Sequence, residues 1–333
     1  MPPDARFAEH ATHGRQLTDS GHLRHLITLA SMPRELIIGI LDRADQFLAD
    51  PYQPAIRNER LKGRTVANLF FEPSTRTRAS FELAAKRLGA DVLNLDVSTS
   101  SRIKGESILD TIYTLEAMQT DTFVVRDAAA GVPQMIADAV RPGVSILNAG
   151  EASVSHPTQG LLDLLTIRRA FPDLAALRVC IVGDIAHSRV ARSAAQALTT
   201  AGVRELRLVA PPSLQPNAAE FPGATLHDNL RDGVRDADVV MALRIQHERI
   251  AAGTDLPGPG DYARHYGLNV ENLKGASDHV RIMHPGPMNR GVEIDGAIAD
   301  SSHSLITEQV RNGVAVRMAL LEMVHETQTG TSV

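Results

Sequence analysis

Residues 70–78 read Phe70-Phe71-Glu72-Pro73-Ser74-Thr75-Arg76-Thr77-Arg78 and join a predicted strand to a predicted helix. Residues 65–71 form a short apolar run rich in β-forming residues, which is typical of a buried parallel strand. Residues 79–88 place apolar side chains at helical spacing, and Ser74 or Thr75 can cap that helix. The sequence therefore predicts that a strand's carboxyl end leads directly into a helix N-terminus.

The start of this predicted helix is rich in groups that bind anions. Residues 74–78 carry three hydroxyl and two guanidinium groups, and free backbone N–H groups and the helix dipole add to their attraction for anions. Arg76 presents a planar, permanently charged fork that suits phosphate or carboxylate oxygens. A capped helix with surface arginines is the simpler interpretation, but this run of polar residues favours an anion site.

Length and composition limit the class of protein. The chain has 333 residues, and single cores stop growing near about 250–300 residues, so two domains are expected. Its 43% hydrophobic and 22% charged residues are ordinary for a soluble globular protein, and the net charge of −5 argues against nucleic-acid binding. The single cysteine, Cys180, excludes an internal disulfide and a cysteine-based metal cage, and we expect it to be a small buried hydrophobe.

Other sequence features argue against a membrane or metal protein. No apolar run approaches the ~18 residues that span a membrane, and the first 20 residues are too polar for a signal peptide, so a cytoplasmic location is predicted. The 13 histidines are scattered without ligand spacing, and no metal site is predicted. Residues 1–18 lack periodicity and are predicted to be a flexible or partner-ordered N-terminal extension.

Predicted strands and helices alternate in two series. The first contains strands at 65–71, 91–95, 122–126 and 144–148, and helices at 75–88, 107–118 and 133–139. A helix at 158–169 follows, and the second series contains strands at 178–183, 205–209, 238–243 and 280–283, a helix at 188–199 and a final helix at 304–325.

This alternation predicts an α/β fold of two doubly wound parallel-sheet domains with the active site in the cleft between them. We assign residues 19–156 plus the C-terminal helix 304–327 to the first domain. Residues 157–303 form the second, with 157–170 as a linking helix.

The segment Pro73-Ser74-Thr75-Arg76-Thr77-Arg78 resembles the carbamoyl-phosphate signature of the aspartate and ornithine carbamoyltransferases. The resemblance extends in order over nearly all of residues 20–330. It implies that the first domain binds carbamoyl phosphate and the second an amino acid. It also implies that the phosphate is held by four residues of this segment, Ser74, Thr75, Arg76 and Thr77.

Residues 98–107 form a second polar segment, with five hydroxyls, two cations and a glycine between a predicted strand and helix. From composition alone, a solvated linker is as good an interpretation as a mobile functional loop. In aspartate carbamoyltransferases a similar loop reaches into the neighbouring subunit's active site. The resemblance implies that Ser100 and Lys104 bind substrate in this way and that the protein is at least a homotrimer with shared sites.

Three further candidates complete the first half of the predicted site. Arg126 ends a predicted strand, where its charge would face the cleft. His156 lies one step before a predicted helix N-terminus, which would favour neutral imidazole. The segment from His156 to Gln159 matches the His-Pro-x-Gln pattern of the family. The resemblance implies that Thr77, Arg126 and His156 hold the carbamoyl oxygen and that Gln159 orients the carbamoyl nitrogen.

The second half of the predicted site begins near residue 183. Residues 182–189 could form a dinucleotide-binding turn, but the glycines of G-x-G-x-x-G are missing. Arg189 is predicted to project from the first turn of the following helix toward the cleft. Arg244, Gln246 and Arg249 follow a strand with the spacing Arg-x-Gln-x-x-Arg, which resembles the aspartate-binding segment of the aspartate branch.

The segment His284-Pro285-Gly286-Pro287 separates the two branches of the family. Ornithine carbamoyltransferases carry a cysteine in the corresponding His-Cys-Leu-Pro segment, and this chain does not. Gly286 stands where some members have leucine. Gly286 and Pro287 are expected to bind substrate, with the Pro287 carbonyl facing the carbamoyl nitrogen.

The resemblance implies transfer of the carbamoyl group from carbamoyl phosphate to L-aspartate, without a cofactor, in de novo pyrimidine biosynthesis. The catalytic residues implied are Arg76, Thr77, Lys104, Arg126 and His156. A carbamoyltransferase for another amine such as ornithine, a non-catalytic scaffold and an NAD-dependent enzyme are the alternatives.

Two further expectations concern domain closure and assembly. The resemblance implies that Glu72 bridges Arg189 and Arg249 when the domains close, and the alternative is a pair with Arg78 within its own domain. Family members also assemble with regulatory chains or dihydroorotase-type partners. The N-terminal extension and Gly286 hint at the latter.

Overall fold

The computed structural model describes residues 15–48, 55–95, 107–246, 249–250 and 253–330. The chain divides into two compact units. Met1–Leu29, Gly39–Thr158 and Gly313–Val333 belong to the first unit, and Ala30–Ile38 and Gln159–Asn312 to the second.

Strands and helices alternate along the described chain, as the sequence predicted. The strands are β1 Thr65–Phe70, β2 Asp91–Leu95, β3 Thr122–Asp127, β4 Ser145–Glu151, β5 Arg178–Val182, β6 Glu205–Val209, β7 Ala224–His227, β8 Val239–Ala242 and β9 Arg281–Met283. The α-helices are α1 Arg34–Asp45, α2 Thr75–Arg87, α3 Ile108–Ala117, α4 Val132–Ala139, α5 Pro157–Ala170, α6 Arg189–Ala201, α7 Leu230–Val234, α8 Pro259–Tyr266, α9 Gly296–Ala299 and α10 Ile306–Thr329.

The first unit contains a four-stranded parallel sheet in the order β2-β1-β3-β4. Buried aliphatic and aromatic side chains of β1, β3 and β4 pack against α3 and α4, with Leu69, Phe123 and Ile146 on the sheet and Ile112 and Ile136 on the helices. The strand order reverses between β1 and β3, and ligands of such sheets bind where the order reverses, beyond the carboxyl ends. This point lies beside the residues that follow β1.

The second unit contains a five-stranded parallel sheet in the order β7-β6-β5-β8-β9. Its core includes Val182, Val240 and Ile282 together with Cys180, which is fully buried as predicted. Burial raises the pKa of the Cys180 thiol to about 12, although nearby Arg207 opposes the shift. The strand order reverses between β5 and β8, so the segments after these two strands are the expected ligand-binding edge of this unit.

The sequence did not predict β7 or the helices α7, α8 and α9. β7 is a partly exposed strand of four residues at the sheet edge, so it lacks the apolar run that marks the buried strands. α7 and α9 contain five and four residues, too few to display helical periodicity. α8 begins at Pro259, and its eight residues contain one buried side chain, Tyr262.

Two negative findings apply to the described part of the chain. None of the helices there combines the length and apolar composition that crossing a membrane requires. The same residues contain no cluster of three or more His, Cys, Asp or Glu side chains suited to a metal ion.

Candidate active site

The turn from β1 into α2 forms the first part of the candidate site. Ser74 occupies the N-cap position in an extended conformation, one of the two cap positions that the sequence predicted, but its side chain makes no capping hydrogen bond there. Thr75 and Arg76 are exposed in the first helical turn, whereas Thr77 is 8% exposed. The exposed first turn combines backbone N–H groups with a guanidinium group, which is the arrangement that attracts anions.

Arg126 lies near the carboxyl end of β3, next to this turn. Phe70 of β1 pairs with Arg126, and the register between β3 and β4 shifts just past Val125. The Arg126 guanidinium donates through Nη2 to Glu72 Oε1 at 2.7 Å and through Nη1 to the Ala149 carbonyl at 3.3 Å. Because β1 and β3 are neighbouring strands, Glu72, which is two positions after β1, lies beside the end of β3.

This ion pair adds a partner for Glu72 that the sequence did not indicate. Arg126 lies within the same unit as Glu72, whereas the expected bridge would join Glu72 to Arg189 and Arg249. That bridge remains a prediction.

The segment after β4 brings His156 to the same edge of the sheet. The Glu151 N–H donates to the Ser155 carbonyl at 2.9 Å, and the Ser155 hydroxyl donates to the Ile27 carbonyl at 3.2 Å. These two bonds hold Ser155 in place. His156, the next residue, is 4% exposed. The ends of β1, β3 and β4 thus carry the Ser74–Thr77 turn, Arg126 and His156 in one unit.

Gln159 lies in the first turn of α5 and belongs to the second unit. It is 9% exposed, and its amide Nε2 donates to Asp163 Oδ1 at 2.9 Å. Nothing in the sequence motif pointed to Asp163.

In the second unit, a buried carboxylate joins the segments after β5 and β8. Asp184, fully buried, accepts through Oδ1 from the His187 backbone N–H at 3.2 Å and is 2.8 Å from His187 Nδ1. Its Oδ2 accepts from the Gln246 N–H at 3.0 Å. Gly183 precedes it at φ +137°, where an added Cβ would lie 2.3 Å from the Leu243 carbonyl oxygen, so this close approach requires glycine. Asp184 therefore fixes the two segments to each other.

The predicted amino-acid-binding residues lie on these two segments. Arg189 begins α6 and is 4% exposed, and the preceding Ser188 caps the helix by accepting from the Ala191 N–H at 3.0 Å. Arg244 and Gln246 are half-buried, two positions apart after β8. Arg249 donates to the His187 carbonyl at 3.2 Å. The second unit thus brings Arg189, Arg244, Gln246 and Arg249 to the carboxyl ends of β5 and β8.

Gly286 and Pro287 lie on the segment that follows β9. Gly286 has φ +69°, a conformation in which a leucine side chain would be strained, so the glycine suits this turn. Pro287 is exposed, and the neighbouring His284 is 2% exposed. Ser100 and Lys104, like residues 1–14 of the predicted extension, lie outside the described residues.

Comparison with known proteins gives two family matches that follow each other along the chain. Residues 24–169 match the carbamoyl-phosphate-binding domain of the aspartate/ornithine carbamoyltransferases, and residues 175–324 match the Asp/Orn-binding domain of the same group.

Solved structures from both branches resemble the chain. An aspartate transcarbamoylase from Trypanosoma cruzi in complex with N-(phosphonacetyl)-L-aspartic acid has 28% identity and a TM-score of 0.80, covering 92% of this chain and 98% of that one. The same Trypanosoma cruzi protein in complex with carbamoyl aspartate and phosphate has 27% identity and a TM-score of 0.79, covering 90% and 95%. An ornithine carbamoyltransferase from Thermus thermophilus, at 24% identity and a TM-score of 0.79, covers 90% and 98% and shares the fold.

Proposed function

The chain belongs to the aspartate/ornithine carbamoyltransferase family, and from that premise we propose that it carbamoylates L-aspartate. The reaction takes carbamoyl phosphate and L-aspartate to N-carbamoyl-L-aspartate and phosphate. In the proposed reaction the first unit binds carbamoyl phosphate and the second unit binds the amino acid.

One observation carries the choice of aspartate over ornithine. The segments joined by Asp184 present three guanidinium groups, those of Arg189, Arg244 and Arg249. Asp184, the buried carboxylate there, already accepts N–H groups from His187 and Gln246. Such a surface suits the second carboxylate of aspartate and repels the side-chain ammonium group of ornithine.

The two substrates repel each other, and fixed cations have to offset that repulsion. Carbamoyl phosphate and aspartate bring together about four negative charges, and one charge pair at ~4 Å is worth roughly 4 kcal/mol at an effective dielectric of ~20. We assign the phosphate to residues Ser74, Thr75, Arg76 and Thr77, with Ser100 and Lys104 from a neighbouring subunit. The two aspartate carboxylates are assigned to Arg189 and Arg244, assisted by Gln246 and Lys104.

The carbamoyl group is the reacting centre of the proposed site. Thr77, Arg126 and His156 hold its oxygen and stabilise the charge that develops as the amine attacks the carbonyl carbon. Gln159 and the Pro287 carbonyl orient its nitrogen, while Gly286 shapes the turn. No covalent enzyme intermediate is required, because the departing phosphate accepts the amine proton and the residues act by orientation and electrostatics.

The remaining parts of the proposal concern the protein's setting. By the same resemblance we place the reaction in cytoplasmic pyrimidine biosynthesis. We also assign a homotrimer with shared sites, to which a dihydroorotase-like or regulatory chain can bind in a larger assembly. Mixing two inactive variants, Arg76→Ala and Lys104→Ala, tests the shared site. Hybrid trimers should regain activity, and mixtures that stay inactive would contradict sharing.

Parallel assays with L-aspartate and L-ornithine test the choice of amine. We expect kcat/KM for aspartate to exceed that for ornithine by about 10³-fold or more, because an unmatched buried charge is rejected strongly. A preference for ornithine would refute the aspartate assignment and leave a carbamoyltransferase for another amine. Inactivity with every amine would favour the scaffold alternative.

A further inference from the structure

A line of buried hydrogen-bonded side chains in the second unit connects the first turn of α5 to the turn after β9. All of these side chains belong to the second unit. Four lie between residues 159 and 293, and the fifth, Gln309, lies on α10. Its members are Gln159, Asp163, Gln309, His284 and Glu293, and each is at most 9% exposed.

Asp163 receives two amide groups on a single oxygen. Its Oδ1 accepts from Gln159 Nε2 at 2.9 Å and from Gln309 Nε2 at 2.8 Å. The first bond joins residues four apart on one helix, which is a common local pair. The second comes from a helix 146 residues further along the chain, and this contact ties α5 to α10.

The bond to Asp163 determines which atom of the Gln159 amide is a donor to the protein. A carboxylate accepts and does not donate, so the Gln159 NH₂ group must face Asp163. Oε1 then remains as the part of the amide available to a ligand, and it can only accept a hydrogen bond.

Gln309 carries the constraint to the turn after β9. While its Nε2 donates to Asp163, its Oε1 accepts from the His284 backbone N–H at 2.9 Å. Both ends of the Gln309 amide therefore have defined partners, and His284 is positioned relative to Gln159 through two side chains.

The His284 ring and Glu293 hold the rest of this turn. His284 Nδ1 accepts from the Gly286 N–H at 2.8 Å, so the ring proton lies on Nε2 and points to Glu293 Oε1 at 3.1 Å. Glu293 Oε1 also accepts from the Asn289 N–H at 2.5 Å. The turn that contains Gly286 and Pro287 is thus fixed on both sides, and Pro287 itself stays exposed.

We propose that Asp163 and Gln309 are positioning residues that make the carbamoyl-nitrogen subsite an acceptor-only surface, selecting an acyl phosphate with an amino group over one with a methyl group. The inference rests on the proposed function, in which Gln159 and Pro287 meet the carbamoyl nitrogen. Two acceptors, Gln159 Oε1 and the Pro287 carbonyl, match the two N–H donors of a carbamoyl group. If the Gln159 amide could rotate, its NH₂ group would face those donors and the match would be lost.

Acetyl phosphate is the probe, because a methyl group replaces the amino group of carbamoyl phosphate. The full-length enzyme is compared with Asp163→Leu, which removes the acceptor, and with Gln309→Met, which breaks the relay at similar side-chain length. Asp163→Asn is the conservative variant, since its carbonyl oxygen can still accept both amides. Thr166→Val is the matched control, because Thr166 accepts from Asn312 Nδ2 at 2.9 Å between the same two helices, outside the network.

The readout is the KM for carbamoyl phosphate relative to the inhibition constant for acetyl phosphate. We expect Asp163→Leu and Gln309→Met to raise this ratio about tenfold, with acetyl phosphate inhibition changed by less than about twofold. Asp163→Asn should lie close to the wild-type ratio. Thr166→Val should lower the melting temperature and leave the ratio unchanged.

Two results would overturn the inference. One is an unchanged ratio in folded Asp163→Leu or Gln309→Met enzyme, and the other is an equal rise in Thr166→Val. Failure of the proposed function is seen separately, because a wild-type enzyme that transfers no carbamoyl group to any amine would be evident before any variant is made.

Discussion

The two regions of this protein to which we assign the anionic substrates are built in different ways. In the first unit, the Ser74–Thr77 turn relies on a helix N-terminus, with Arg76 exposed and Ser74 making no capping hydrogen bond. In the second unit, Ser188 caps its helix, Arg189 is buried, and Asp184 joins two separate segments. A backbone-built site needs one contiguous motif, whereas a site built from two segments needs a buried group that holds them together.

The largest effect is expected in the first unit, where the assigned phosphate site depends on one exposed guanidinium, that of Arg76. Arg76→Ala should lower turnover by about 10³-fold or more, because it removes a guanidinium from the phosphate without altering the core. Steady-state kinetics and thermal unfolding measure the two consequences. Lys86→Ala is the control, an exposed cation on the same helix that pairs with Glu82. Near-normal activity of Arg76→Ala would contradict the assignment of the phosphate to the Ser74–Thr77 turn.

In the second unit we expect a smaller effect that is confined to aspartate binding, because Asp184 joins the two segments that carry the assigned aspartate-binding residues. In Asp184→Asn the amide NH₂ must face an N–H donor of either His187 or Gln246, so the segments separate. KM for aspartate should rise about 10- to 100-fold, while affinity for carbamoyl phosphate is unchanged.

Asp238→Asn provides the matched control for that prediction. Asp238 is also a buried carboxylate beside β8, but it accepts the Arg178 N–H at 2.8 Å and lies 2.8 Å from His279 Nε2, at the strand's other end. Asp238→Asn should lower the melting temperature only. Equal rises in KM for aspartate in both variants would mean that Asp184 acts through general stability.

Glu72 tests whether the first unit also depends on a carboxylate. Its bond to Arg126 orients a guanidinium that we assign to the carbamoyl oxygen, and the predicted closure bridge would use the same carboxylate. Glu72→Ala should lower kcat/KM for aspartate about tenfold, measured beside Glu82→Ala on the neighbouring helix. Unchanged aspartate affinity and turnover would contradict both roles.

The smallest effect is a pH dependence of stability in the second unit. Burial raises the pKa of Glu293, but hydrogen bonds from the His284 ring and the Asn289 N–H outweigh it, so the pKa is lowered from 4.5. A lowered carboxyl pKa contributes stability above pH 4.5 that is lost as the pH falls through the folded value. In denaturant unfolding, the free energy of unfolding of the wild type should therefore exceed that of Glu293→Gln above pH 4.5, and this difference should disappear as the pH falls below that value. A constant difference down to about pH 3 would contradict this.

The sequence predicted the parallel sheets and the buried Cys180 because strand and helix periodicity are local properties. It also predicted the β1–α2 turn, whose residues are contiguous. It could not predict the Glu72–Arg126 pair, which depends on β1 and β3 being neighbours in the sheet.

The supporting residues of the second unit were missed for the same reason. Asp184 and Gln246 are 62 residues apart, and Asp163 and Gln309 are 146 apart, so no motif joins them. A buried acidic residue directly after a predicted strand, as at Asp184, was the available signal. Ser74 occupies the predicted N-cap position without the side-chain hydrogen bond, because N-cap preference describes a position and does not establish that bond.

A crystal structure with N-(phosphonacetyl)-L-aspartate would test both assigned anion sites at once, since this molecule joins a phosphonate to an aspartate. We expect the phosphonate at the Ser74–Thr77 turn and the two aspartate carboxylates at Arg189 and Arg244. A bound molecule that avoids both the turn and Arg244 would contradict these assignments.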